Sequence, residues 1–107
     1  LKSSSEKLLP LRRKIDCING DLLKLLNKRV GVAQVIGRIK SQAGIPVSDY
    51  ARERNIIDGL VARNSGPLDE VAVRKIFATI IRETKRIERI AHGESKSASG
   101  KKACRKR

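Results

Sequence analysis

The sequence is poor in aromatic residues and in cysteine. Its 107 residues include one Phe, one Tyr and no Trp or Met. A core must therefore be built from Leu, Ile, Val and Ala, for which packing on helices is the natural outcome. The two cysteines, Cys17 and Cys104, lie far apart without a CxxC spacing, which indicates neither a disulfide framework nor a zinc site. We therefore expect no metal and a reducing, cytoplasmic compartment.

The sequence also lacks long apolar runs and alternating segments. No stretch of about 18 apolar residues occurs, so we predict no transmembrane helix and no membrane partner. No segment alternates apolar and polar residues between turn signals, which argues against β-strands. A chain of 107 residues fits one domain and not two.

Acidic residues are scarce beside basic ones. The chain has 25 Lys plus Arg against 11 Asp plus Glu, a formal net charge of +14. Residues 94–107 hold six basic residues and one Glu, which gives +5, and residues 1–93 hold the other +9. We expect a helical domain over 1–93 and a disordered basic tail over 94–107, because the tail is too poor in hydrophobic residues to offset its ordering entropy. Such a tail serves solubility or joins a removed segment, or it is a nucleic-acid arm.

A heptad-like apolar stripe predicts one long helix near the N-terminus. Ser3 and Glu6 have the spacing of a capping box at its start, and Gly44 followed by Pro46 ends the pattern. The helix would be about 55 Å long, whereas a globule of about 90 residues has a radius of gyration of about 13 Å. We therefore expect the helix to bury its stripe against a second copy, in an intertwined homodimer. The stripe consists of Leu8, Leu11, Ile15, Ile18, Leu22, Leu25, Arg29, Val32, Ile36 and Ile39.

Two shorter helices are predicted to follow. Pro46-Val47-Ser48 supplies a stop and an N-cap candidate, and the second helix then runs to the break at Asn64-Ser65-Gly66-Pro67. Asp69 can cap the third helix. The predicted fold is all-α, with three helices per subunit. The third helix presents the stripe Val73, Ile76, Phe77, Ile80, Ile81, Thr84, Ile87 and Ala91, with Glu88 beside it.

Cations on apolar faces are the most informative residues. Arg29 occupies a stripe position, where an unpaired charge would cost several kcal/mol, so we expect an anion beside it. Lys40 follows by eleven residues and points within about 20° of Arg29. Arg12 precedes Arg29 by about 26 Å along the axis, too far to grip the same small ligand, although an antiparallel partner could bring its own Arg12 there. The alternative for each is a snorkelling surface cation.

These residues form an ordered pattern of apolar and charged positions over about residues 8–91. Its motifs are Leu11-Arg12-x-x-Ile15, Leu22-Leu23-x-Leu25-Leu26-x-x-Arg29, Gly37-x-x-Lys40, Pro46-Val47-x-Asp49-x-x-Arg52-Glu53-Arg54 and Phe77-x-x-Ile80-Ile81. The pattern resembles the all-helical chorismate mutases. That resemblance implies three helices per subunit, an intertwined dimer in which each site borrows an Arg from the partner, and conversion of chorismate to prephenate without a cofactor in aromatic amino-acid biosynthesis.

The resemblance also implies roles for individual residues. Arg29 and the partner subunit's Arg12 would bind the two carboxylates of chorismate, and Lys40 would hydrogen-bond its ether oxygen. Glu53 would accept from the substrate hydroxyl. Asp49 and Arg52 would shape that end of the site, and Thr84 would replace a small hydroxyl residue found in relatives.

Glu88 is the position at which the family pattern varies. Some relatives have Gln there as a second donor to the ether oxygen, and others have Glu, which donates only when protonated. Burial among apolar residues favours the protonated form and Lys40 favours the ionised form, so the sequence does not decide between them. The alternative for Glu88 is a solvated carboxylate paired with Lys85 or Arg89.

Two other functions compete with the mutase. A lyase on the same scaffold that removes pyruvate from isochorismate also needs a lysine and arginines around a dianion. A non-enzymatic nucleic-acid binder is suggested by the isoelectric point of about 10.6. The aromatic content of 2% and the stripe positions of Arg29 and Lys40 argue against nucleic acid as a partner.

Overall fold

The computed structural model describes residues 1–93, and the predicted basic tail over 94–107 lies outside the described residues. The described chain forms α1 (Ser4–Ala43), α2 (Tyr50–Arg63) and α3 (Glu70–His92). Residues 1–93 contain no strand. The predicted all-α fold is confirmed.

Local side-chain hydrogen bonds set the ends of α1. The Ser3 backbone N–H donates to Glu6 Oε1 at 2.8 Å, and the Glu6 N–H donates to Ser3 Oγ at 3.2 Å, as predicted for a capping box. Gly44 ends the helix with φ of 69° and donates to the carbonyls of Lys40 and Ser41. Pro10 lies inside α1. It has no N–H for the Glu6 carbonyl, so the helix continues there with one bond fewer.

The start of α2 differs from the prediction. Asp49, not Ser48, is the N-cap, and its carboxylate accepts from the Arg52 N–H at 3.0 Å. Ser48 instead accepts a hydrogen bond from Arg89 Nη2 at 2.9 Å. A carboxylate interacts favourably with the positive end of the helix dipole, which favours Asp49 as the cap. The cap predicted for α3 is present, since Asp69 accepts from the Ala72 N–H at 2.8 Å.

The third helix packs against both of the others. It contacts the C-terminal half of α1 on one side and α2 on the other. The helices α1 and α3 approach closely at Gly37, where an added Cβ would lie 2.7 Å from the Glu88 carbonyl oxygen. The buried apolar residues of this small core are Ala33, Val47, Val73 and Ile81.

The N-terminal part of α1 is not covered by the rest of the chain. All residues from 4 to 28 are exposed, including the stripe residues of that half. The molecule measures 65 × 37 × 17 Å with a radius of gyration of 18.1 Å, against about 13 Å for a globule of about 100 residues. Among residues 1–93, no helix has both the length and the apolar character needed to cross a membrane.

Candidate active site

A cavity of about 480 Å³ lies between the C-terminal half of α1, the start of α2 and the middle of α3. Cavities of about 300–1,000 Å³ typically bind small molecules. Its apolar wall comes from Val32, Ala33, Ile36, Val47, Ile56 and Ile81. Its polar lining consists of Arg29, Lys40, Asp49, Arg52, Glu53, Thr84, Lys85 and Glu88.

A hydroxyl on α3 orients Arg29. Arg29 Nη1 donates to Thr84 Oγ1 at 2.9 Å, and the same hydroxyl donates to the Ile80 carbonyl at 2.6 Å. Thr84 is buried, so this contact holds the guanidinium at the cavity wall. Within residues 1–93 no carboxylate pairs with Arg29. Most of its N–H donors are therefore available for a ligand anion.

Lys40 and Glu88 form a partly buried ion pair across α1 and α3. Lys40 Nζ lies 3.1 Å from Glu88 Oε2, with the two side chains 22% and 12% exposed. The ammonium also donates to the Val47 carbonyl at 3.0 Å. An ammonium has three N–H donors, so one is left for a ligand. Glu88 pairs with Lys40 rather than with Lys85 or Arg89, and it is buried rather than solvated.

A second ion pair joins α2 to α3 at the same cavity. Lys85 Nζ lies 2.8 Å from Glu53 Oε2 and 4.8 Å from the centre of the Tyr50 ring. Lys85 was not among the site residues predicted from the sequence. Its spacing from Ile81 and Glu88 could have placed it on the cavity side of α3, because residues three and four apart share a helix face.

The predicted site residues, with one exception, line this cavity. Asp49 and Arg52 lie at the start of α2, where the Asp49 cap sets the path of the chain. The exception is Arg12, which is exposed in the uncovered half of α1 and does not line the cavity. One chain thus brings together Arg29, Lys40, Asp49, Arg52, Glu53, Thr84 and Glu88.

The fold and the cavity define an all-helical protein with an apolar cleft that presents fixed cations to a small anion. The family model for chorismate mutase type II matches residues 11–89. That match includes every predicted site residue from Arg12 to Glu88.

Similar proteins carry the same family name. A chorismate mutase of Methanocaldococcus jannaschii is 36% identical over 85 residues, which cover 78% of this chain and 86% of that protein. The bifunctional chorismate mutase/prephenate dehydratase of Aquifex aeolicus is 37% identical over 78 residues, 73% of this chain but only 22% of that protein. A solved chorismate mutase from Thermus thermophilus gives a TM-score of 0.75 at 33% identity and covers 77% of this chain and 93% of that one.

The chain belongs to the chorismate mutase type II family, and it is an isomerase of that type. The family resemblance of the sequence is confirmed. The comparisons support the mutase and neither of its two competitors, the isochorismate lyase and the nucleic-acid binder.

Proposed function

We propose that the cavity binds chorismate and rearranges it to prephenate. In this reaction the ether C–O bond breaks while a new C–C bond forms within the same molecule, and no group is transferred to the protein. The observation that carries the proposal is the placement of Arg29 and Lys40 on one apolar wall, each with N–H donors to spare. Holding a reactive conformer and stabilising charge on the ether oxygen then constitute the catalysis.

Two arginines bind the substrate carboxylates in this proposal. Arg29 binds one carboxylate, because its guanidinium is oriented by Thr84 and can form a bidentate pair of hydrogen bonds with a carboxylate. The partner subunit's Arg12 takes the other. Clamping both carboxylates restricts chorismate to the compact conformer in which the reacting carbons are close.

Lys40 and Glu88 act at the ether oxygen. The remaining N–H donor of Lys40 stabilises the negative charge that develops as the C–O bond breaks. Glu88 lies beside Lys40, with 3.1 Å between Nζ and Oε2, and donates a second hydrogen bond when its carboxyl is protonated.

The hydroxyl end of the substrate meets the start of α2. Glu53 accepts from the hydroxyl, since an ionised carboxylate has only acceptor oxygens. Asp49, the N-cap of that helix, and Arg52 in its first turn shape the cavity around the hydroxyl.

The active unit in this proposal is an intertwined homodimer. The bare stripe on α1 includes Ile15, Ile18 and Leu22, each more than half exposed. A second α1 packed along it in antiparallel fashion would bury the stripe and bring its Arg12 towards Arg29. The exposed free thiol of Cys17 suits a reducing compartment, so we place the enzyme in the cytoplasm.

A chorismate-disappearance assay together with the mass in solution tests this function. We expect turnover of chorismate by a species of twice the chain mass, and no consumption of isochorismate. Lys40→Ala should lower kcat by orders of magnitude, because a cation aimed at developing charge is worth about 3 kcal/mol or more. Wild-type protein that leaves chorismate unchanged would overturn the proposal.

A further inference from the structure

Lys85 makes its two strongest contacts with side chains of one helix face. It reaches from α3 to Glu53 Oε2 at 2.8 Å and lies 4.8 Å from the Tyr50 ring centre. Tyr50 and Glu53 are three residues apart in the first turn of α2, so they occupy the same face. The Lys85 side chain is 15% exposed and that of Glu53 is 24% exposed, so the pair is shielded from most of the screening that weakens surface ion pairs.

The buried Val47 anchors the segment before α2, but the Glu53 side chain has no such apolar anchor. No residue of α2 is buried, and Tyr50 itself is 67% exposed. Apolar packing within α2 therefore contributes little to the orientation of the Glu53 side chain. The ion pair between Lys85 Nζ and Glu53 Oε2, at 2.8 Å, is the strongest interaction of the Glu53 side chain within residues 1–93. The contacts of Lys85 thus determine where the Glu53 carboxylate points.

The geometry divides the two oxygens of Glu53 between protein and cavity. Oε2 lies 2.8 Å from Lys85 Nζ in the ion pair. Within residues 1–93, Oε1 has no hydrogen-bond partner, and Glu53 lines the cavity. A carboxylate with one oxygen engaged retains acceptor capacity on the other. The Glu53 carboxylate is therefore already positioned, without a bound ligand, to accept a hydrogen bond from a ligand hydroxyl.

We propose that Lys85 is a positioning residue, which holds Glu53 so that its free oxygen accepts from the substrate hydroxyl. This inference rests on the proposed function. The hydroxyl contact is made both in the bound substrate and in the transition state, so its loss weakens binding more than it slows the chemical step. Lys85 accordingly affects KM more than kcat.

The first test removes the charge of Lys85 but keeps its apolar stem. Lys85→Met removes the partly buried ion pair with Glu53 and should raise the KM for chorismate about tenfold, with kcat changed less than threefold. Lys85→Arg restores a donor and should keep KM within about twofold of wild type. The matched control is Lys75→Met, which removes the same charge from an exposed position on the same helix and should leave KM unchanged.

The second test asks whether Lys85 acts through Glu53. In a Glu53→Gln background, Lys85→Met should add little further increase in KM, because the residue it positions is already changed. With a chorismate analogue whose hydroxyl is replaced by hydrogen, Lys85→Met and wild type should have similar KM values. A purely structural role for Lys85 would raise KM equally in both backgrounds and for both substrates, and that result would overturn the inference.

The outcomes separate this inference from the proposed function. Wild-type turnover of chorismate combined with an unchanged KM in Lys85→Met overturns the role of Lys85 alone. An absence of wild-type turnover overturns the proposed function and this role with it. Thermal melts of each variant, monitored by circular dichroism, confirm that KM is compared between folded proteins.

Discussion

At the scale of single residues, the lining of the cavity alternates charges of opposite sign. Lys40 lies 3.1 Å from Glu88 and Lys85 lies 2.8 Å from Glu53, while within residues 1–93 the side chain of Arg29 hydrogen-bonds only to the neutral hydroxyl of Thr84. Each carboxylate lowers the desolvation cost of its lysine. Arg29 keeps most of its N–H donors for an anion, so we expect it to contribute strongly to binding the dianion.

Gly37 allows α1 and α3 to touch behind Glu88. An added Cβ would lie 2.7 Å from the Glu88 carbonyl oxygen and 3.0 Å from its Cγ. Because a backbone oxygen cannot swing aside, Gly37→Ala must push the helices apart and move Glu88. The overpacking cost of about 1–3 kcal/mol exceeds the helix-propensity gain of about 1 kcal/mol.

We therefore expect Gly37→Ala to lower both the free energy of unfolding and kcat. Urea denaturation and the chorismate assay measure the two effects. Gly59→Ala is the matched control in α2, where an added Cβ meets nothing within 4 Å, and it should stabilise the protein by about 0.5–1 kcal/mol. Equal changes in stability for the two substitutions would show that the close approach at Gly37 is unimportant.

Among the helices, α1 has two halves with different surroundings. Its C-terminal half packs on α3 and carries Arg29 and Lys40, while residues 4–28 are exposed throughout. Over its 40 residues the helix is about 60 Å long. Helical segments in water are stabilised mainly by packing of an amphipathic face. The exposed half of α1 therefore needs a partner, which the proposed dimer supplies.

A charge on the exposed stripe should separate the proposed dimer without harming the subunit's own core. Leu22 is 51% exposed, so Leu22→Glu removes little packing within one chain but would bury a charge between two. We expect a shift to monomer mass by size-exclusion chromatography with light scattering, and loss of activity. Lys24→Gln changes the charge on the opposite face of α1 and should stay dimeric. An active, dimeric Leu22→Glu protein would contradict the proposed interface.

The helices could be predicted from the sequence better than the contacts between them. The caps Ser3–Glu6 and Asp69–Ala72 join residues three apart, so local spacing was sufficient. The cap of α2 was missed because Arg89, 41 residues away, engages Ser48. The stripes placed Lys40 and Glu88 correctly on apolar faces. The pairing of Lys40 with Glu88 depends on how α3 packs against α1, and the unpredicted pairing of Lys85 with Glu53 depends on how α3 packs against α2. The spacing of apolar residues along the sequence does not determine this packing.

At the scale of the whole molecule, the elongated shape separates Arg12 from the cavity of its own chain. Their separation along α1 is about 26 Å for the seventeen residues to Arg29. Each site can therefore receive an Arg12 only from another copy. A site shared between subunits can be tested by complementation, because two different inactivating substitutions can be placed in two different subunits.

Mixing two inactive variants should restore activity. In a heterodimer of Arg12→Ala and Lys40→Ala chains, one of the two sites receives the intact Arg12 and the intact Lys40, and the other receives neither. Random exchange should give about a quarter of the wild-type sites. The assay is kcat per chain after subunit exchange verified by mass spectrometry. A chain carrying both Arg12→Ala and Lys40→Ala, mixed with either single variant, should recover no activity. A failure of the two single variants to restore activity together would contradict the shared site.

The phenol ring of Tyr50, beside Lys85, is a simple spectroscopic reporter in this protein. The chain has one Tyr, one Phe, one His and no Trp, so its aromatic proton spectrum contains very few signals. Tyr50 lies at the start of α2, with Lys85 4.8 Å from its ring centre. Events at that wall of the cleft can therefore be followed by nuclear magnetic resonance on a single ring, without isotopic labelling or an attached probe.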